Sequence, residues 1–217
     1  SALIGEWASH AFGLPAAEQW LAATSQAGHD ALVQQVRQSV SMSRVAEVVR
    51  LLMAEGVSVA YPQIVLEALL ELAPRIEDPK SLADHVRLAL SRPISAQFAG
   101  PDRTISAVVV ELDLEDRLRD AIIETATGNR LALSYEEANA LADVLTDWQA
   151  RSVRSPRPIA VLTSFDVRRA LAQFAVNRHI RIAVVAFDEI APDFRIVPVE
   201  ALNLSSLTTR ETLEDVT

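Results

Sequence analysis

Apolar residues in the first hundred positions recur at the spacing of helices. The clearest series follows i, i+3, i+4, i+7 and i+8 and comprises Val45, Val48, Val49, Leu52 and Met53. Ser43 is expected to cap the start of this helix, and Gly56 is expected to end it. Weaker versions of the same spacing predict further helices near residues 2–12, 16–25 and 29–39. This part of the chain is therefore predicted to be entirely helical.

One apolar segment predicts a central helix for this part. Residues 64–72 are apolar nearly all round apart from Glu67 and Glu71, and a helix of this kind is normally buried on most of its surface. A charged turn should end it. Asp78 can accept backbone N–H groups as the cap of the next helix, and Pro79 then takes a position whose own N–H needs no partner.

After Ala99-Gly100-Pro101-Asp102 the apolar spacing changes from helical to strand-like. The sequence therefore predicts a helical subdomain over residues 1–100 and an α/β subdomain with an irregular tail over residues 101–217. The elements predicted for the second subdomain are strand 104–111, helix 114–126, an extended piece at 130–133, helix 135–150, strand 159–162, helix 165–176, and strands 181–187 and 194–199.

The order strand, helix, strand between residues 159 and 187 predicts a right-handed crossover that joins parallel strands. Val167, Leu171 and Phe174 should face the sheet. A capping box at Ser134-Tyr135-Glu136-Glu137 should fix the start of the preceding helix. The predicted fold class is thus an all-helical subdomain followed by a small α/β subdomain with a βαβ unit and a sheet of about four strands.

The composition excludes several classes of protein. A chain of 217 residues with 50% hydrophobic content can bury a core as one or two globular units, and the absence of Cys excludes a disulfide framework. The formal net charge of −9, without a run of basic residues, argues against nucleic acid as a partner. The longest apolar runs fall far short of the roughly 20 residues of a membrane-spanning helix, so this segment is expected to be soluble.

No reactive motif emerges from the sequence. It contains neither kind of glycine-rich phosphate loop and no G-x-S-x-G elbow. The histidines are scattered, with no pair at the spacing of metal ligands, and they are His10, His29, His85 and His179. The chain is therefore not expected to be an enzyme or to hold a cofactor or metal.

Glu67 and Glu71 lie four residues apart on one helical face and could act as a general acid and base. They are the only charged residues on an apolar helix. The better explanation is a solvent-facing stripe, or a pair that meets arginines across a subunit contact.

A denser set of opposite charges follows on the turn and the next helix, and it comprises Arg75, Asp78, Arg87 and Arg92. Local capping and surface pairing would explain them, at about 0–1 kcal/mol for each exposed pair. The alternative explanation is electrostatic matching between neighbouring subunits. We treat these residues as candidate subunit or partner contacts.

Ordered blocks along nearly the whole chain resemble one protein family. In the first half they are Ala8-Ser9-His10-Ala11-Phe12-Gly13, Met42 to Val48, Glu55-Gly56-Val57-Ser58 and Leu66 to Ile94. In the second half they are Leu118 to Ile122, Leu131-Ala132-Leu133, Leu162 to Arg169 and Phe187 to Pro192. The order and spacing of these blocks are similar to those of the large export-gate subunits of type III secretion and flagellar export. The blocks Arg119 to Ile122 and Leu162 to Arg169 resemble the injectisome branch more than the flagellar one.

The resemblance implies that the chain holds the last two subdomains of a cytoplasmic domain below a multi-spanning inner-membrane region. Cytoplasmic domains of that family assemble into a nine-subunit ring above the export ATPase complex and receive chaperone, gatekeeper and substrate complexes. The resemblance also implies no catalysis, no cofactor, a place at the cytoplasmic face of the bacterial inner membrane, and membrane contact only through a missing N-terminal region.

One segment departs from the family pattern. Ala60-Tyr61-Pro62-Gln63 stands where the family usually carries a basic and polar turn. Pro62 fits the first turn of the helix that it begins, because its missing N–H is not needed there. We expect Tyr61 and Pro62 to alter a ring contact or a partner preference.

A small α/β enzyme domain with a helical appendage is the alternative interpretation. Only the βαβ unit supports it, and a fold does not define a function. A deep cavity lined by convergent polar groups beside Leu162 or Phe187 would favour this alternative.

Overall fold

The computed structural model describes residues 12–125 and 128–207, and the chain divides into two compact units between Ile94 and Ser95. Apart from Phe12, the helix predicted near residues 2–12 lies outside the described residues. The boundary expected at residue 100 remains a prediction. It would fall just after the helix Ser91–Phe98, in which the chain passes from the first unit to the second.

Helices make up the first unit, as the apolar spacing predicted. They are α1 (Leu14–Thr24), α2 (Asp30–Ser39), α3 (Met42–Ala54), α4 (Pro62–Leu72) and α5 (Pro79–Ala89), followed by α6 (Ser91–Phe98) at the boundary. The predicted apolar face of α3 is confirmed, because its residues at i, i+3, i+4 and i+7 are all buried. Within the described residues, no helix is both long enough and apolar enough to cross a membrane.

The ends of α3 show which capping predictions were right. The cap is Ser41 rather than Ser43, because the Ser41 carbonyl already accepts the first helical hydrogen bonds from Arg44 and Val45, both at 3.0 Å. Gly56 follows the last turn with φ +73° and donates its N–H to the Met53 carbonyl at 3.0 Å. A residue with a side chain would be strained in this conformation, so glycine ends the helix as predicted.

The connection between α1 and α2 is a π-helical stretch, Ser25–His29. Gly28 lies inside it with φ +98°, in the left-handed region that favours glycine. The backbone at Gly28 is therefore not helical, and the chain kinks between α1 and α2.

A parallel sheet forms the centre of the second unit. Its strands are β1 (Thr104–Val110), β4 (Ala160–Thr163), β5 (Ala183–Ala186) and β6 (Arg195–Leu202). Among the described residues they lie in the order β5-β4-β1-β6, and every neighbouring pair is parallel. The strand β6 lies at the edge of the sheet. Pro198 is tolerated there although it has no N–H to donate to a neighbouring strand.

The helices α7 (Leu112–Asp120), α8 (Tyr135–Arg154) and α9 (Phe165–Asn177) complete this α/β unit. The three residues of α9 that were predicted to face the sheet are buried, at 0–8% exposure. They share one apolar core with α8 residues such as Leu141, Leu145 and Trp148. The α/β expectation and the βαβ unit are therefore confirmed.

One prediction for this unit was wrong. The helix expected over 114–126 ends at Asp120, and the chain continues as β2 (Ile122–Thr125), which pairs antiparallel with β3 (Gly128–Leu131). Two consecutive β-branched residues, Ile122 and Ile123, favour a strand over another helical turn. This hairpin forms its own two-stranded sheet, separate from the parallel one.

The predicted capping box at Ser134 is present, and it leads to a pH prediction. Arg117 donates to both carboxylate oxygens of Glu137, at 2.7 and 2.8 Å, and these bonds lower the pKa of Glu137 from 4.5 to about 2. The unfolded chain therefore takes up this proton first as the pH falls. The stability contributed by the pair is present above about pH 4.5 and is lost as the pH falls towards 2.

We expect the unfolding free energy of Glu137→Gln to fall less steeply than that of the wild type between pH 4.5 and 2. Urea titrations at several pH values would measure this slope. Glu136→Gln changes an exposed neighbour outside the pair and is the matched control. Equal slopes for the two variants would contradict the assignment to Glu137.

Candidate docking surface

The segment that departs from the family pattern lies on the surface of the first unit. Tyr61 is the residue before α4 and is 47% exposed, and Pro62 occupies the first helical position as predicted. The indole N–H of Trp20 donates to the Val59 carbonyl at 3.3 Å, which ties the chain before Tyr61 to α1. The Tyr61 ring is thus presented to solvent from an anchored backbone.

Glu67 and Glu71 lie on the exposed face of α4, opposite the buried residues Leu66 and Leu69. The side-chain amide of Gln63 donates to Glu67 at 2.9 Å. General acid catalysis by a carboxyl group normally requires a desolvated site that perturbs its protonation. An exposed stripe does not supply one, so the geometry favours the solvent-facing or contact explanation.

The charged turn between α4 and α5 has the predicted capping geometry. Asp78 accepts hydrogen bonds from both the backbone N–H and the hydroxyl of Ser81, each at 2.8 Å. Arg75 lies exposed just before it. One carboxylate oxygen of Asp78 therefore has a local structural role, while the Arg75 guanidinium is placed at the surface.

Arg87 differs from the other candidates because it points inwards. Its side chain is 3% exposed and pairs with Glu55 at 2.9 Å, joining α5 to the end of α3. A side chain this buried could contact a neighbouring subunit only if the surrounding structure unfolded. Arg92, in the first turn of α6, is exposed. The candidate set thus consists of surface residues plus one internal ion pair.

Sequence reasoning missed a positioning role for Arg44. This half-buried side chain on α3 donates to the Ala73 carbonyl at 3.0 Å, at the carboxyl end of α4. A cation at this end of a helix also interacts favourably with the helix dipole. Arg44 thereby fixes the approach to the charged turn. No local motif could have predicted the contact, because the two residues are separated by a complete helix.

The second unit presents a groove at the carboxyl ends of its parallel strands. The groove is open, encloses about 580 Å³, and has a lining that includes Val109, Val110, Glu111, Leu112, Asp113 and Phe187. Leu112 is 76% exposed and Phe187 is 39% exposed. Both apolar side chains are therefore accessible to a partner at this edge of the sheet.

A buried carboxylate forms the inner wall of the groove. Glu115, on α7, is 4% exposed and accepts hydrogen bonds from the Thr163 hydroxyl at 2.9 Å and the Ser164 backbone N–H at 2.5 Å. Nearby, Arg119 bridges Asp116 and Asp166, and its hydrogen bond lowers the pKa of Asp166. Glu115 therefore joins α7 to the end of β4 and holds the wall in place.

The groove lacks the arrangement that would have favoured the enzyme alternative. It is open rather than deep, and its polar lining residues are carboxylates without a nucleophile and base side by side. Within residues 12–125 and 128–207, no three His, Asp or Glu side chains cluster in a way that could hold a metal ion. The groove is better suited to a polypeptide than to a reacting small molecule.

Comparison with known proteins assigns the chain to a family. The model of the FHIPEP family matches residues 1–195. The chain is 36% identical over 174 residues to probable translocation protein y4yR of Sinorhizobium fredii. This alignment covers 80% of this chain and 25% of that protein. It is 30% identical over 188 residues to the hypersensitivity response secretion protein HrcV of Ralstonia nicotianae, covering 86% and 27%. The chain thus spans about a quarter of the length of these curated relatives.

Solved structures have the same fold. The C-terminal domain of InvA superposes with a TM-score of 0.79 at 28% identity, covering 93% of this chain and 61% of that one. The complex of CdsV and CdsO from Chlamydia pneumoniae gives 0.76 at 26% identity, covering 92% and 58%. The nonameric SctV-C of EPEC gives 0.78 at 19% identity, covering 92% and 60%, and this likeness concerns the fold alone. The chain belongs to the FHIPEP family and corresponds to part of the C-terminal cytoplasmic domain of injectisome export-gate proteins.

Proposed function

We propose that this chain is the non-catalytic cytoplasmic portion of a type III secretion export gate, which assembles into a ring and docks proteins on their way to export. The family match over residues 1–195 is the observation that carries the proposal. A nonameric relative with the same fold supports a ring of nine copies. Binding energy, rather than chemistry, is then what the domain supplies, and repeated weak sites gain avidity from the ring.

The proposed partners are a second copy of the chain, secretion chaperones, the gatekeeper and export substrates. The complex of CdsV with CdsO supports a further contact with a protein of the CdsO kind. The export ATPase complex is another proposed partner. The ring would lie at the cytoplasmic face of the bacterial inner membrane, held there by a part of the protein outside this chain.

The exposed charges of the first unit are proposed as contacts between neighbouring copies. They are Glu67, Glu71, Arg75, Asp78 and Arg92, together with the exposed turn at Tyr61 and Pro62. Both signs of charge occur on the same unit, so one copy can present carboxylates to the guanidinium groups of the next. Arg87 is left out of this set because its ion pair with Glu55 is internal.

Charge reversal tests the ring proposal. In the full cytoplasmic domain, we expect Glu71→Arg or Arg75→Glu to raise the protein concentration needed for half-assembly at least about fivefold, because attraction becomes repulsion at every contact of the ring. Native mass spectrometry over a concentration series would measure this midpoint.

Arg130→Glu, which reverses an exposed charge on β3 in the second unit, is the matched control. If the charge-reversal variants of the first unit assemble at the same protein concentration as this control, the contact assignment is contradicted. A full cytoplasmic domain that stays monomeric at every concentration would contradict the ring itself.

A further inference from the structure

Acidic residues are concentrated at the carboxyl edge of the parallel sheet in the second unit. They follow the strand ends, and they are Glu111, Asp113, Asp166 and Asp188. The amino edge has both signs of charge, because Asp193 lies there and pairs with Arg103 at 2.7 Å. A cationic partner would therefore be attracted to the carboxyl edge.

Helix dipoles explain part of the acidic character of the carboxyl edge. Acids are favourable near the first turn of a helix, and α7 and α9 both begin at the carboxyl edge. Several of the acids also have local partners: Asp166 pairs with Arg119, and Asp113 accepts the backbone N–H of Leu204 at 3.2 Å. The acidic character alone therefore has a structural explanation.

Two exposed apolar side chains accompany the acids at this edge. Leu112 occupies the first position of α7, where a polar residue would serve the helix equally well, yet it is 76% exposed. Phe187, just after β5, is 39% exposed and lies on the lining of the same groove. Val109 and Val110 supply an apolar floor between them. The groove therefore combines uncovered apolar surface with an acidic rim.

We propose that this groove binds a basic amphipathic helix of an export partner, with apolar residues against Leu112 and Phe187 and Lys or Arg residues against the rim. An amphipathic helix laid in a groove offers anchors at i, i+3, i+4 and i+7 on one face and charges along its sides. The proposal rests on the docking role proposed above, but not on assembly of the ring.

Charge complementarity selects this occupant over others. The carboxylates of Glu111 and Asp113 line the groove and are exposed, and Asp188 is the exposed residue after Phe187, so an acidic helix or an anionic lipid surface would be repelled there. A second copy of the chain could also cover the apolar surface. The described part of this chain offers no helix that is both basic and amphipathic, since its arginines are dispersed or paired. A partner protein is therefore the occupant that the surface fits.

The probe for the test is a labelled helical peptide of Leu and Lys, about five turns long, with Leu at i, i+3, i+4 and i+7. Two further probes are the same residues in scrambled order and a version with Glu in place of Lys. Fluorescence anisotropy with the full chain would measure the three dissociation constants. We expect the Leu/Lys helix to bind at least about tenfold more tightly than either of the others.

Surface variants locate the binding site. We expect Leu112→Ser to weaken binding of the Leu/Lys helix about tenfold, because it removes an apolar anchor, and Glu111→Lys to weaken it about fivefold at low salt. Val153→Ser is the matched apolar control, since Val153 is 80% exposed and lies near the carboxyl end of α8. Glu124→Lys on β2 is the matched charge control. Both controls should bind like the wild type.

Three outcomes would overturn the proposal. The first is equal binding of the Leu/Lys and Leu/Glu helices, and the second is equal loss in the groove and control variants. The third is self-association that Leu112→Ser abolishes in sedimentation experiments without peptide, which would assign the groove to a second copy. Because binding is measured with the isolated chain, a failed ring assay would not alter these results, and a failed peptide assay would leave the ring proposal standing.

Discussion

We expect Glu189→Gln to lower the unfolding free energy of the second unit by about 3–5 kcal/mol. Glu189 and Arg168 are both fully buried, and their charged groups lie 3.6 Å apart. Removing the carboxylate charge weakens the compensation of a guanidinium that lies in a low-dielectric interior. The second oxygen of Glu189 also accepts the Ala186 N–H at 3.1 Å, which fixes the turn after β5.

Hydrogen exchange under native conditions, read on peptides from α9 and β5, would measure this loss within the second unit. Asp188→Asn is the matched control because the neighbouring side chain is exposed. The double variant Arg168→Met, Glu189→Leu should recover much of the loss, since an apolar pair needs no counter-ion. A single variant no less stable than the control would show that the pair is not what holds this turn.

The second large effect is expected for Leu66→Ala in α4, with a loss of about 2–5 kcal/mol. Leu66 is 0% exposed, and its side chain is among the largest that are fully buried. Truncating it removes apolar surface from the core and leaves a cavity that the neighbouring helices fill only in part.

The next residue supplies the control for this prediction. Glu67→Ala truncates an exposed side chain on the same helical turn and should change stability by less than about 0.5 kcal/mol. Hydrogen exchange of peptides from α3 to α5 would compare the two. Similar losses for both variants would mean that α4 does not bury the face assigned to it.

Local patterns were enough to predict most elements of the fold. The face of α3, the capping box at Ser134 and the cap at Asp78 each depend on residues within one or two turns of one another. Interactions at such short range are visible in the order of residues. The sequence alone therefore distinguishes the all-helical part from the alternating α/β part.

Some failures were local and others concern distant residues. The strand β2 was predicted as the end of a helix, because Ile122 and Ile123 are also compatible with an apolar helical face, whereas its partner β3 overlaps the extended piece predicted at 130–133. The burial of Arg87 depends on Glu55, which is 32 positions away. No periodic pattern reveals that two such residues meet, so a buried ion pair was taken for a surface charge.

The groove of the second unit was missed for a related reason. Its apolar lining comes from the end of β1, the start of α7 and the residue after β5. These positions meet only because β5 lies in the same sheet as β1, with β4 between them. The sequence predicted the strands but not their order. Phe187 was named from the sequence only as a strand end beside which a cavity could lie, and Leu112 was not predicted to line the same groove.

The central claim is that this chain serves protein export as part of an assembly. Deletion of the full gene, followed by a secretion assay, tests it most directly. We expect the deletion to abolish export of type III substrates and the intact gene to restore it. Substrate export that continues at the wild-type level in the deletion strain would contradict the account.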